Sequence, residues 1–167
     1  MALILNGDTG ITYPVATATG SATQASAGRV LQVVQATYSS GSVGTTSNSY
    51  STTGLAASIS PSSAASKVLI TLNGGGQYLP GSAVRNLQIT VYRNSTNLGG
   101  GSEVSLSRLY GSIEIVAPHS ICFLDSPSTT SATTYTVYMK SVNSNQVYFY
   151  IGGDSGVVAL TLMEISA

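Results

Sequence analysis

Charge is scarce in this sequence. Only 7% of residues are charged, against roughly 25% in ordinary soluble domains. Six basic and six acidic residues cancel to a formal net charge of zero. That leaves no electrostatic footprint for nucleic acid or for an anionic membrane. One cysteine, Cys122, excludes an intrachain disulfide and points to synthesis in a reducing cytoplasm. One histidine, His119, and one cysteine cannot build a zinc site within a single chain. The acids Asp8, Glu103, Glu114, Asp125, Asp154 and Glu164 are scattered singly, so no calcium loop is spelled out. No apolar run approaches the ~18 residues of a membrane helix, so no membrane insertion is expected. The start, Met1 to Asp8, lacks a basic segment and meets a turn early, unlike a signal peptide.

What is present is β-grammar. Short runs rich in β-branched and aromatic residues alternate with Gly, Ser and Asn turns. Leu55 to Ile59 is an apolar run closed by Pro61, which cannot donate to a ladder. Lys67 to Leu72 alternates, with Val68, Ile70 and Leu72 on one face. Tyr135, Val137 and Met139 likewise oppose Tyr138 and Lys140. Arg29 to Tyr38 is β-branched and reads as a strand; a helix is possible but disfavoured by its valines. Residues 39–53 are left open between a long loop and a two-sided polar strand. The triplet Gly74 to Gly76 is expected to break the strand before it, with a bulge or closely packed backbone there. Ile121 to Leu124 reads as a short buried run after Pro118. Asn143 to Asn145 reads as a hairpin turn into Val147, and Gly152 to Gly156 as the turn into the last strand.

The spacing predicts eight to ten strands and no dependable helix, hence an all-β, jelly-roll-like antiparallel β-sandwich. Residues 29–167 would form the knob. Residues 1–28, dominated after Ala16 by Ala, Thr, Ser and Gly, would form a short extended N-terminal arm. Several strands carry apolar groups on both faces, which implies burial against another copy.

Catalytic readings fail on inspection. Gly153 to Gly156 (GDSG) matches a serine-protease nucleophile motif, but that mechanism needs a histidine and an orienting aspartate. His119 lies between Pro118 and Ser120, and only 12 residues follow Ser155, too few for a double-barrel protease. The same four residues make an ordinary turn. The glycine triplets neither open a helix nor precede Lys-Ser/Thr, so they are not phosphate loops. Asn94 to Thr96 matches a glycosylation sequon and reads more simply as a turn. No catalytic, metal or cofactor site is expected, and the chain reads as non-enzymatic. Tyrosine supplies ten of the twelve aromatics; its apolar ring and polar tip suit interfaces and sugars.

Five blocks carry a family resemblance. They are Leu5 to Ile11 (LNGDTGI), Ala25 to Gln35 (ASAGRVLQVVQ), Tyr50 to Ile70 (YSTTGLAASISPSSAASKVLI), Phe123 to Tyr135 (FLDSPSTTSATTY) and Leu160 to Ile165 (LTLMEI). Together they resemble tail-fibre and related virion proteins of tailed bacteriophages, of the marine cyanophage type. The resemblance implies a homotrimeric, TNF-like jelly-roll knob on a virion assembled in a bacterial cytoplasm. Residues 1–28 would bind other virion proteins of tail or head. It transfers no catalytic residues. With almost no shaft between arm and knob, it points to a short fibre touching a host surface glycan, or to a capsid or tail decoration protein. The candidate receptor contacts are Gly74, Tyr78, Asn94 and Asn97; the candidate subunit interface is Tyr148 and Tyr150.

Overall fold

The computed structural model describes residues 4–6, 10–12, 28–38, 41–79, 84–101, 103, 105–109, 115–150 and 156–167. Near the start, β1 (Ile4–Asn6) and β2 (Gly10–Thr12) pair antiparallel, Leu5 opposite Ile11. The remaining strands are β3 (Val30–Tyr38), β4 (Ser42–Thr45), β5 (Ser51–Ile59), β6 (Lys67–Leu79), β7 (Arg85–Arg93) and β8 (Thr96–Asn97). They continue with β9 (Ser105–Leu109), β10 (Ile115–Asp125), β11 (Thr133–Ser141), β12 (Val147–Tyr150) and β13 (Val158–Ile165). No helix occurs among the described residues.

Two sheets face each other. In the first, β3 pairs β13, β13 pairs β6, and β10 takes the other edge of β6; β12 and β4 extend it. In the second, the order is β5, β11, β7, with β8 and β9 on the far edge of β7. The eight longest strands, counted along the chain, thus lie first-eighth-third-sixth opposite second-seventh-fourth-fifth. The partners β3 and β13, β5 and β11, β6 and β10, and β7 and β9 are all antiparallel. A chain doubled back once and then rolled up gives this connectivity, so the fold is an antiparallel jelly roll, as the strand spacing predicts.

Period-two alternation builds the core. Leu55, Ala57 and Ile59 of β5, Tyr135, Val137 and Met139 of β11, and Leu87, Ile89 and Val91 of β7 line one inner face. Val68, Ile70 and Leu72 of β6, Leu160 and Leu162 of β13, and Phe149 of β12 line the other. Each fully buried Val, Leu, Ile, Phe or Met among them contributes ~1.5–3 kcal/mol.

Three local expectations need correction. The glycines of Gly74 to Gly76 do not end the strand; β6 runs on to Leu79. The close packing is real. Gly74 has φ +86°, and a β-carbon there would lie 2.2 Å from the Val157 carbonyl oxygen. The register with β10 also shifts between Ala117 and His119, with Pro118 at the irregularity, where a missing N–H costs least. Second, Ile121 to Leu124 is not a separate buried run. It is the far part of β10, with Ile121 inward and Leu124 54% exposed. Third, Asn143 to Asn145 does not turn a hairpin: β11 lies in the second sheet and β12 in the first, so the segment crosses between them. The stretch 39–53, left open between loop and strand, holds both among its described residues: β4 is a strand, residues 46–50 a connection, and β5 starts at Ser51. Ile151 to Ser155, including most of the GDSG motif, lies outside the described residues.

Candidate functional site

The six residues singled out from sequence do not form one site. Gly74 sits inside β6 with its backbone against Val157, so it is not a loop tip. Tyr78 lies near the far end of β6, opposite Val116 and Tyr148; its side chain is outside the described residues. Asn94 and Asn97 flank the β7–β8 turn in the other sheet. That turn lies near Asp125, which is opposite Val68, so it and Tyr78 are separated by roughly 30 Å along β6.

Asn94 and Asn97 are also engaged internally. Asn94 adopts φ 51°. Its N–H donates to the Thr134 carbonyl at 2.7 Å, and its Oδ1 accepts from the Thr134 N–H at 3.1 Å. Asn97 Oδ1 accepts from Thr90 Oγ1 at 2.6 Å and from the Gly99 N–H at 2.9 Å. These amides hold the turn together.

Of the interface pair, Tyr148 is half-buried with its ring over Gly44 of its own chain, where a β-carbon would approach it to 2.7 Å. Tyr150 pairs Ser42 and Gly76 through its backbone; its side chain lies outside the described residues.

The two outward faces differ in chemistry. On the first sheet, register aligns Val33 of β3, Met163 of β13, Leu69 of β6 and Leu124 of β10 in one row. Val33 is 57% exposed; Val30 and Leu31 extend the band along β3. The next row, Gln35, Thr161, Thr71 and Cys122, is polar apart from the cysteine.

The outward face of the second sheet is aromatic and polar. Tyr92 and Tyr138 rings lie 4.1 Å apart between centroids, and Tyr50 meets Tyr92 edge-on at 6.3 Å. Lys140 Nζ sits 4.4 Å from the Tyr50 ring centroid. Burial, with smaller contributions from the charges of Glu103 and Tyr92, pushes the Tyr50 hydroxyl up to about 12. Sequence reading missed this cluster. Tyr138 and Lys140 were legible as the face of β11 opposite the core, but nothing local says that β11 lies between β5 and β7.

Three polar groups inside the sandwich are structural. Glu164, buried at the end of β13, accepts from the Ser62 N–H at 2.7 Å, Ser62 Oγ at 2.6 Å and Gln32 Nε2 at 2.7 Å. Burial would raise its pKa, but the hydrogen bonds from Ser62 and Gln32 outweigh it and hold the carboxylate at about 2. His119 packs its ring 5.7 Å from that of Phe149, and burial lowers its pKa to about 4. Asp125 joins Arg93 and Tyr135. No group of three His, Cys, Asp or Glu that could hold a metal ion occurs among the described residues.

No protein-family model matches the chain, and no curated protein sequence does. Solved structures with some similarity include the infectious bursal disease virus VP2 subviral particle, at 14% identity and TM-score 0.39. The match covers 81% of this chain and 37% of that one. The infectious bursal disease virus Gx strain structure matches at 14% identity and TM-score 0.38, with the same coverage. This chain thus spans little more than a third of the chains it matches. Likeness at this level is faint, and the jelly-roll assignment rests on the strand connectivity above.

Proposed function

We propose that the chain is a non-enzymatic structural subunit of a bacteriophage particle, a jelly-roll knob that works as a homotrimer. The observation that carries self-assembly is the aliphatic row Val33–Met163–Leu69–Leu124 on the outside of the first sheet. Exposed Val33 and Leu124 flank half-buried Met163 and Leu69 in one apolar row across four strands, which favours burial against another surface. The chain's lack of net charge removes a barrier to copies meeting there. This face is a candidate subunit interface beside Tyr148 and Tyr150. The trimer number and the virion setting rest on the sequence resemblance. In this reading residues 1–28 join the knob to other virion proteins, and the exposed sheet meets a host surface glycan.

A second reading, a head or tail decoration protein without a receptor role, is favoured by one observation. The Asn94 and Asn97 side chains, candidates for loop recognition, already accept hydrogen bonds from their own chain.

Light scattering on the purified full chain tests the assembly. A mass of about 51 kDa, three times the 17.0 kDa of one chain, supports the trimer. A stable 17.0 kDa species rejects it.

A further inference from the structure

We infer that the outer edge of β3 pairs antiparallel with the same edge of a second copy, continuing the first sheet from one copy into the next. The inference goes beyond the subunit contact proposed above, which uses the face of that sheet and not its edge.

An edge strand presents a row of unpaired N–H and C=O groups. Folded proteins blunt such rows with short strands, charges, proline or bulges. In the sandwich β3, β4, β5, β8, β9 and β10 each pair on one side only among the described residues. All but β3 are blunted. β4 and β8 are four and two residues long. β9 has five residues and carries Arg108. β5 holds Gly54 at φ +82°, and its register with β11 shifts between Thr136 and Tyr138. β10 holds Pro118 at a register shift of its own. β3 runs for nine residues with no charge, proline or glycine. Its register with β13 shifts only near its start, and from Gln32 to Tyr38 it is unbroken.

The core side of this edge is also unfinished. Val34 and Ala36 pack against the core yet are only partly buried. A strand laid along β3 would cover their open flank.

Symmetry and charge select the occupant. Antiparallel pairing of two identical strands sets residues opposite each other only when they project to the same face. Val34 and Ala36 of both copies would therefore meet on the core side, and Val33 of both on the side of the aliphatic row. Neither strand brings a charge to the seam, so nothing there repels a second copy or selects a charged partner. A contact along one strand is small, so the pairing is reversible.

Light scattering and amide exchange on the full chain, from about 5 μM to about 1 mM, test this. The mass should grow with concentration, whatever its dilute value. Alternate N–H groups between Gln32 and Tyr38, those facing away from β13, should exchange fast when dilute and slowly when concentrated. Gln35→Lys and Thr37→Lys, both at exposed positions of β3, should each weaken the pairing by about tenfold. Thr130→Lys, which adds the same charge on an exposed loop, should leave it unchanged. A mass and exchange pattern independent of concentration overturns the pairing. So does wild-type growth in both β3 variants, or full protection of the outer N–H groups in the dilute sample, which would mean that one chain covers its own edge. The dilute mass tests the trimer separately. A dilute trimer that does not grow overturns the edge pairing alone, and a dilute monomer that pairs through β3 overturns the trimer alone.

Discussion

The Tyr135 hydroxyl donates to Asp125 Oδ2 at 2.8 Å, joining β11 of the second sheet to β10 of the first. Arg93 of β7 reaches the same carboxylate at 2.9 and 3.0 Å and the Ser126 carbonyl at 3.1 Å. Burial, the hydrogen bond to Asp125 and the charge of Asp125 all raise the Tyr135 pKa, offset only in part by Arg93. Tyr135 is fully buried, so its hydroxyl has no access to water as a substitute partner. Tyr135→Phe should cost about 1–2 kcal/mol in urea unfolding. Asp125→Ala should cost more, because it strands both the phenol and the guanidinium. Equal midpoints for the two variants would show that Arg93 adds nothing.

His119 sets the mild-acid limb of stability. Its folded pKa, about 4, lies below its ordinary 6.5. The unfolded chain therefore takes up the proton first. The stability is fully present above pH 6.5 and falls as pH drops from 6.5 to 4, by at most on the order of 3 kcal/mol. Thermal melts across that window should show the fall, and His119→Leu should flatten it. A wild-type melting temperature unchanged between pH 7 and 4 contradicts a buried neutral imidazole.

Glu164 acts in a lower window. Its folded pKa, about 2, lies below the ordinary 4.5. Its contribution is complete above pH 4.5 and is lost as pH falls toward 2. Glu164→Gln keeps the shape but turns an NH2 toward a donor. It should cost about 2–3 kcal/mol at neutral pH. It should also loosen the connection at Ser62, visible as faster amide exchange of Ser62, whose N–H is held by this carboxylate.

Gly74 and Gly100 both have positive φ, +86° and +63°, but only Gly74 is crowded. Gly100→Ala should cost about 1 kcal/mol for backbone strain alone. Gly74→Ala adds a collision with the Val157 carbonyl and should cost at least twice as much. Paired denaturation curves compare them directly.

Val33→Glu and Leu124→Lys change solvent-facing positions, so each should alter monomer stability by no more than about 0.5 kcal/mol. Each should nevertheless lower the assembled mass to that of one chain, with an unchanged far-ultraviolet spectrum. An assembly that survives both substitutions places the interface elsewhere.

The inner faces of β5, β6 and β11 could be read from sequence because alternation is a local property. Val68, Ile70 and Leu72 declare themselves by spacing alone. Pairing is not local. Gln32 and Glu164 share a hydrogen bond across 132 positions, and no neighbour of either announces it. The same gap hid the tyrosine cluster, whose members come from β7, β11 and the residue just before β5. Gly74 was misread because glycine usually ends a strand; here it lets one continue past a carbonyl. Asn143 to Asn145 carries hairpin-type residues, yet its flanking strands belong to different sheets.

The sandwich is entered and left at one point. Gly28 donates to the Ser166 carbonyl, and Ser166 donates to the Arg29 carbonyl, both at 2.9 Å. From there β3 and β13 run side by side in opposite directions. Tension that separates Gly28 from Ser166 would open this ladder one rung at a time, like a zip, at low force. A pull on Gly28 along the axis of β3, with the rest of the sandwich held by neighbouring copies, would load every rung together. The same seam would be weak to peeling and strong to shear.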